Sequence, residues 1–169
     1  MLPPATITFP GIVLGLHILG AVIGFGATFA FPFLFAASAR RDPTVLPWLL
    51  RARQRVGRYL VNPGLALVVV CGIYLATDLH QWSQFYVGWG IVAAILIGAL
   101  EGGVIIPRTA RLAARAEQDL AATAVPAGGQ RTSATWSSDF LGGYRTVSAA
   151  GVVTQLIVIV TVLIMATQA

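Results

Sequence analysis

The chain has 169 residues, of which 57% are apolar and only 10% are charged, and its net charge is +5. Soluble domains carry about 25% charged residues, so this composition excludes an ordinary soluble domain. The single cysteine, Cys71, excludes an internal disulfide and a multi-cysteine metal site. All 11 basic residues are arginines. They flank apolar segments, as suits anionic lipid headgroups, and we expect no nucleic-acid partner.

Four long apolar segments predict an all-α fold, a four-helix transmembrane bundle that forms a single integral membrane domain over residues 1–169. Each segment supplies the roughly 20 residues needed to cross ~30 Å of hydrocarbon. The short loop between the second and third segments makes these helices antiparallel neighbours. No basic stretch precedes the first segment, so we expect it to be retained as a span rather than cleaved as a signal peptide. We place the spans at about 11–37, 60–78, 85–106 and 146–165.

The arginines predict the orientation of the bundle. All of them lie in the two gaps 38–58 and 107–145, and none lies in the loop 78–84 or at either chain end. Short arginine-rich loops stay on the cytoplasmic side of a membrane. The two arginine-bearing loops are therefore predicted to be inside, and both termini outside.

His17 is the ionisable side chain of the first span, about two turns from its outer end. Residues at a matching depth on the other spans include Tyr74, Trp89 and Thr161. One interpretation is a neutral histidine that bonds one of these side chains or a backbone carbonyl. The other is a haem or metal ligand, or a quinone-binding or proton-handling group, with Tyr74 and Trp89 completing a cofactor site. Ionisable groups within a membrane are functional candidates by default, so both interpretations stay open.

Neither histidine belongs to an obvious metal site. A structural zinc or copper site needs three or four ligands, and the chain offers only two histidines and one cysteine. A two-histidine haem site would require His80, in the short outer loop, to fold inward towards His17. We therefore predict no metal site and no cofactor, with haem kept as the alternative.

Glu101 lies near the inner end of the third span. The second and third helices are antiparallel neighbours, so residues can be counted from the outer loop along each of them. This count places Arg58 within one helical turn of the depth of Glu101. One interpretation is a buried Glu101–Arg58 pair that fixes the second and third helices together. The other is a polar inner site with Asn62, which would bind a proton or a substrate. Pro32, Pro63 and Pro107 cluster at the same end, and each frees backbone carbonyls that the membrane interior requires to be satisfied.

Small residues recur at four-residue spacing in the first and third spans. Such stripes let helix backbones approach closely, either within one bundle or between two copies of it. We expect internal packing, with a homodimer or another membrane protein as the alternative partner. The stripes are Gly11/Gly15, Gly20/Gly24 and Ala94/Gly98/Gly102.

The segment 16–26, LHILGAVIGFG, resembles the first span of a set of small bacterial membrane proteins with four core helices. The arginine run 51–58 and the Gly-Trp-Gly at 88–90 extend the resemblance. The chain resembles an actinobacterial-type predicted integral membrane family of unknown function. More distantly it resembles HemJ-type protoporphyrinogen oxidases and the membrane domain of copper-resistance protein D.

The resemblance implies a multi-pass protein of the bacterial cytoplasmic membrane. It places His17 where HemJ-type proteins have the first-helix histidine needed for haem-linked activity. Those proteins also use a basic residue in the third-helix region, where this chain has Glu101 instead.

Three functions follow as hypotheses. The first is a non-enzymatic accessory or scaffold subunit of a membrane complex, whose partners are the lipid bilayer and a second copy or another membrane protein. The second is a haem- or tetrapyrrole-linked redox protein that uses His17. The third is a small transporter that uses Glu101.

Overall fold

The computed structural model describes residues 7–123 and 135–168, and in these residues the fold is a bundle of four long helices. Each helix is long and apolar enough to cross a membrane. The predicted all-α, four-span architecture is therefore confirmed, and each helix contains its predicted span and extends beyond it. The third helix runs to Ala122, beyond the span predicted at 85–106. The helices are α1 (Phe9–Arg41), α2 (Leu46–Asp78), α3 (Phe85–Ala122) and α4 (Ser138–Gln168).

The turn between α2 and α3 is closed by a left-handed residue. His80 has φ 55°, a conformation that glycine usually supplies at the end of a helix. Its backbone N–H donates to the carbonyl of Thr77, and that of Gln81 donates to the carbonyl of Ala76. These two bonds satisfy the last carbonyls of α2 and reverse the chain within six residues, 79–84. His80 thus has a structural place in an exposed turn.

Helices α2 and α3 each contain one π-helical turn, Gly57–Val61 and Ala99–Ile105. A proline follows each turn closely, at Pro63 and Pro107. Proline has no N–H to donate to the preceding turn, so a change of hydrogen-bond register costs little there. Each π turn accommodates an extra residue and changes which face of the helix points inward. At the end of each π turn an N–H group donates to the carbonyl five residues back: Asn62 to Gly57, and Ile106 to Glu101.

The larger of two buried side-chain clusters lies at the end that carries the arginines. There the start of α2 lies against the extension of α3, and that extension also lies against α4. Their buried side chains form a continuous core with the end of α1. A smaller buried cluster occupies the middle of the bundle. The first core includes Phe31, Phe35, Leu50, Ile105, Leu112 and Phe140; the second is Phe25, Val61, Ile97 and Val158.

Glycines bring α1 and α2 into backbone contact. A Cβ built on Gly64 would lie 2.6 Å from the Cα of Gly24 and 2.9 Å from the carbonyl oxygen of Gly20. Neither atom can move aside as a flexible side chain would. The Gly20/Gly24 stripe therefore serves internal packing, while Gly15 and Gly102 have open space at their Cβ positions.

Gly64→Ala should destabilise the protein by about 1–3 kcal/mol, because the new methyl group overlaps the backbone of α1. Gly15→Ala is the matched control: its methyl group meets nothing within 4 Å, and alanine is the better helix former. Thermal unfolding in detergent micelles measures both. Equal midpoints for the two variants would contradict the close approach.

The arginine bias predicts that the arginine-bearing end faces the cytoplasm. Single cysteines at Arg55 and Gln81, in a Cys71→Ala background, test this orientation. Arg55 is exposed, and Gln81 lies in the loop at the opposite end. An impermeant thiol reagent added to intact cells should label Gln81→Cys and leave Arg55→Cys unlabelled until the membrane is opened. The reverse pattern would invert the topology.

Candidate functional site

An ion pair between Arg53 and Glu101 lies buried among the four helices, at the arginine-bearing end of the bundle. Nη2 of Arg53 donates to Oε1 of Glu101 at 3.2 Å, and the two side chains are 6% and 0% exposed. The guanidinium carbon lies 5.2 Å from the centre of the Phe31 ring, which adds a cation–π contact from α1. A Cβ built on Gly151 of α4 would lie 3.9 Å from Nη2. Residues from all four helices thus surround one pair of charges.

Each member of this pair keeps one buried polar atom that has no hydrogen-bond partner among the described residues. The two atoms are Nη1 of Arg53 and Oε2 of Glu101. Oε2 lies in ordinary contact distance of Gly57, 3.6 Å from where a Cβ would stand, and the missing side chain makes room for Ile106, whose Cγ1 would lie 2.9 Å from that Cβ. Leaving such groups unpaired costs about 1–3 kcal/mol each. The pair therefore joins α2 and α3 structurally and also leaves two polar atoms inside the bundle unbonded within the part of the chain that the structure describes.

The partner of Glu101 differs from the predicted one. Arg58 is exposed, as is Asn62, so neither joins Glu101 in a polar inner site. The prediction matched residues by depth and ignored which face of the helix they occupy. Arg53 and Gly57 share the buried face of α2, whereas Arg58 points away from it. A sequence signal did exist: Leu46, Leu50, Arg53, Gly57 and Val61 follow the three- and four-residue spacing of one helix face.

Gln155 is a polar side chain of α4 with a structural contact that the sequence analysis missed. Its Nε2 donates to the backbone carbonyl of Thr28 at 2.9 Å. Thr28 lies four residues before Pro32, which has no N–H to bond that carbonyl. Gln155 therefore satisfies a backbone group that the proline of α1 leaves free. A glutamine within an apolar span is the signal that would have pointed to it.

His17 bonds a backbone carbonyl of the neighbouring helix. Its Nδ1 lies 2.9 Å from the carbonyl oxygen of Val68 on α2. The ring packs against Gly72, where a Cβ would make a tight contact of 3.2 Å with Cε1, so glycine lets the ring lie close to α2. This is the backbone-carbonyl bond that the first interpretation of His17 expected. The bond fixes the ring orientation and leaves Nε2 without a hydrogen-bond partner among the described residues.

His17 also lies on the wall of an apolar cleft of about 340 Å³ that is open along one side. All four helices contribute to it, and its walls are almost entirely carbon. Small residues line it on α3, where Gly90, Ala93 and Ala94 face the cleft. Thr161 and Met165 line it on α4. The cleft lies away from the arginine-bearing end.

The other predicted cofactor residues take different places. Nε1 of Trp89 donates to Oγ1 of Thr161 at 3.0 Å, which ties α3 to α4 beside the cleft. Tyr74 packs edge-on against Phe9, with ring centres 5.4 Å apart, and does not line the cleft. His80 lies exposed in the α2–α3 turn. The structure thus brings Trp89 near the cleft through Thr161 and leaves Tyr74 and His80 outside it. In the described parts of the chain, no cluster of three or more His, Cys, Asp or Glu side chains would hold a metal ion.

A family model described as "Predicted integral membrane protein (DUF2269)" matches residues 11–169. No curated protein and no solved structure is detectably similar to the chain. The chain belongs to this family of predicted integral membrane proteins, as its resemblance implied. The looser resemblance to HemJ-type oxidases and copper-resistance protein D rests on the sequence motifs alone.

Removing one charge of the central pair should cost about 3–5 kcal/mol, because the other charge stays buried and uncompensated. Arg53→Gln and Glu101→Gln are therefore each strongly destabilising. The double variant should lose less than the sum of the two. Thermal unfolding in micelles measures the loss of stability in the two single variants and in the double variant.

The exposed pair Arg51–Glu117 joins the same two helices, with side chains 53% and 45% exposed. The matched variants Arg51→Gln and Glu117→Gln should each cost about 0–1 kcal/mol. Arg58→Gln should also be mild. Additive losses for Arg53 and Glu101 would contradict the pairing.

Proposed function

We propose that this member of the DUF2269 family is an accessory membrane subunit that holds a small lipid-soluble molecule in the His17 cleft. The observation that supports this is a histidine with a free ring nitrogen on an otherwise carbon-lined wall. Ligand sites are concave, mostly apolar, and carry a few polar groups that orient the ligand. The cleft has this composition, and its open side gives a molecule dissolved in the bilayer a route in.

The size of the cleft favours a small molecule over a partner helix. Small-molecule sites measure about 300–1,000 Å³, and 340 Å³ lies at the low end of this range. A transmembrane helix is about 10 Å wide and would need the helices to separate along their length. The cleft therefore suits a molecule of one or two rings.

The buried ion pair supports a structural role more than a transport role. Neither Arg53 nor Glu101 lines the cleft. Their charges are opposite and in contact, so the pair is neutral as a whole and holds α2 and α3 together. The small-transporter hypothesis would require Glu101 to part from Arg53 in each cycle, at the cost of exposing two buried charges.

An accessory role within a complex fits the surfaces that internal packing leaves open. Gly15, Gly102 and Gly103 have no atoms within 4 Å of their Cβ positions. Small residues on a span let another helix approach closely. A second copy or another membrane protein would pack there, in the cytoplasmic membrane of a bacterium, while the cleft carries the ligand.

Haem is the second candidate ligand, and one observation favours it. Histidines that bind metals nearly always donate their other ring N–H to a carboxylate, carbonyl or water. His17 has this arrangement through Val68, so His17 is the residue that would hold the iron, through Nε2. Haem would supply one-electron redox chemistry there. A four-ring macrocycle would need the walls to part, which places this candidate second.

Photolabelling tests the proposed function. The protein in lipid nanodiscs is irradiated with an apolar aryl diazirine, and the labelled residues are mapped by mass spectrometry. We expect saturable labelling of the cleft walls on α1, α3 and α4. Gly26→Leu should reduce it several-fold, because Gly26 lines the cleft and has open space at its Cβ.

Gly15→Leu is the matched control, on the same helix and with the same open space but outside the cleft. It should leave the saturable labelling unchanged. Labelling that never saturates would contradict a binding site. A Soret band in the purified protein that is lost in His17→Ala would instead promote the haem candidate.

A further inference from the structure

The polar atoms of the cleft also indicate which class of molecule it takes, an inference that rests on the proposed function. We infer that the cleft selects a flat apolar ring that carries an O–H donor, a phenol or hydroquinone, over the same ring with only acceptor oxygens. Three features carry this inference: the bond that fixes His17, the bonds that occupy Thr161, and the shape of the walls.

The first feature fixes the chemistry of His17. A backbone carbonyl oxygen only accepts hydrogen bonds, so Nδ1 of His17 must carry the proton in its 2.9 Å contact with Val68. In the neutral ring the other nitrogen, Nε2, then bears a lone pair and accepts. His17 is half-buried and lines the cleft, and Nε2 has no hydrogen-bond partner in residues 7–123 and 135–168. The cleft therefore offers a ligand an acceptor nitrogen.

The second feature is that the hydroxyl of Thr161, which could otherwise donate to a ligand, already donates within the protein. Thr161 is the hydroxyl residue of the cleft wall, and its Oγ1 donates to the carbonyl of Ile157 at 2.7 Å. The same oxygen accepts from Nε1 of Trp89 at 3.0 Å. Its proton is thus committed within α4, and the indole N–H is committed to Thr161. Neither side chain has a donor left for a ligand.

A ligand must then bring the donor itself. An O–H group would complete the bonding of Nε2, whereas a ketone, quinone or ether oxygen would place its lone pair against that of the nitrogen. Such an unmatched acceptor pair leaves both groups unsatisfied in an apolar site, which is costly. The polar atoms of the cleft thus distinguish a hydroquinone from its oxidised quinone.

The third feature is the shape of the walls. Ala21 on α1 and the small residues Gly90, Ala93 and Ala94 on α3 line the cleft. Phe25 and Phe29 of α1 add aromatic faces. Small residues leave a slot between helices, and aromatic rings favour offset or edge contact with another ring. A flat ring suits this slot better than a branched or globular molecule.

Two naphthalenes that differ only in the donor test the inference. 2-Naphthol and 2-methoxynaphthalene compete with the aryl diazirine for the cleft in nanodiscs, at concentrations corrected for partition into the lipid. We expect 2-naphthol to halve the saturable labelling at a concentration about fivefold lower than that required of 2-methoxynaphthalene. A difference of this size corresponds to about one net hydrogen bond. In His17→Phe, which keeps a ring but loses the acceptor, this preference should disappear.

Each result has a distinct meaning. Equal competition by the two compounds, or a preference for the ether, would overturn donor recognition while leaving the cleft as a binding site. Failure of both compounds to compete at the cleft would overturn the proposed function as well. A preference for 2-naphthol that remains in His17→Phe would show that another group recognises the O–H donor of the ligand. It would overturn the role of His17.

Nitrogen NMR tests the same inference without a substitution. The chain has two histidines, so a protein labelled with ¹⁵N-histidine gives signals for His17 and for the exposed His80 alone. We expect Nε2 of His17 to be unprotonated and to shift when 2-naphthol is added, with no shift from the ether. His80 is the internal control. A protonated Nε2 in the free protein would overturn the inference.

Discussion

The ion pair between Arg53 and Glu101 sets the geometry on which the bundle depends. Both side chains are buried where four helices meet, so neither charge can reach water without separating the helices. The π turns of α2 and α3 lie beside the pair, and Gly57 lets α2 pack closely against Ile106 of α3. Because a buried charge is stable only beside its partner, this contact fixes the register of α2 against α3.

Proline is accommodated in this bundle by two different means. In α2 and α3 a π turn precedes each proline, so the backbone changes its hydrogen-bond register where an N–H is missing. In α1 the carbonyl freed by Pro32 accepts from Gln155 of α4 instead. Both devices meet the same requirement, since an unbonded backbone group within a bilayer costs several kcal/mol. The second also ties α1 to α4.

The arginine-bearing end of the bundle and the His17 cleft are two regions of the molecule with different roles. At the arginine-bearing end, large buried side chains and the ion pair hold the helices together. Further along, the bundle contains an apolar cleft with small residues on its α3 wall, and the Trp89–Thr161 bond lies at its edge. His17 is held on its wall by the backbone of α2. A rigid anchor on one side thus allows an opening on the other, where a ligand would bind.

The sequence alone determined the four spans and their helical class, because apolar length is a local property of the chain. It also singled out His17 and Glu101, since ionisable residues are rare within spans. Only the tertiary structure decided their partners. Counting residues gives the depth of a side chain in the membrane but not the face of the helix on which it lies, and π turns change that face. Arg53, and not the predicted Arg58, is therefore the partner of Glu101. The cleft and the roles of Val68 and Gln155 depend on backbone groups brought together by packing, which no residue type in the sequence encodes.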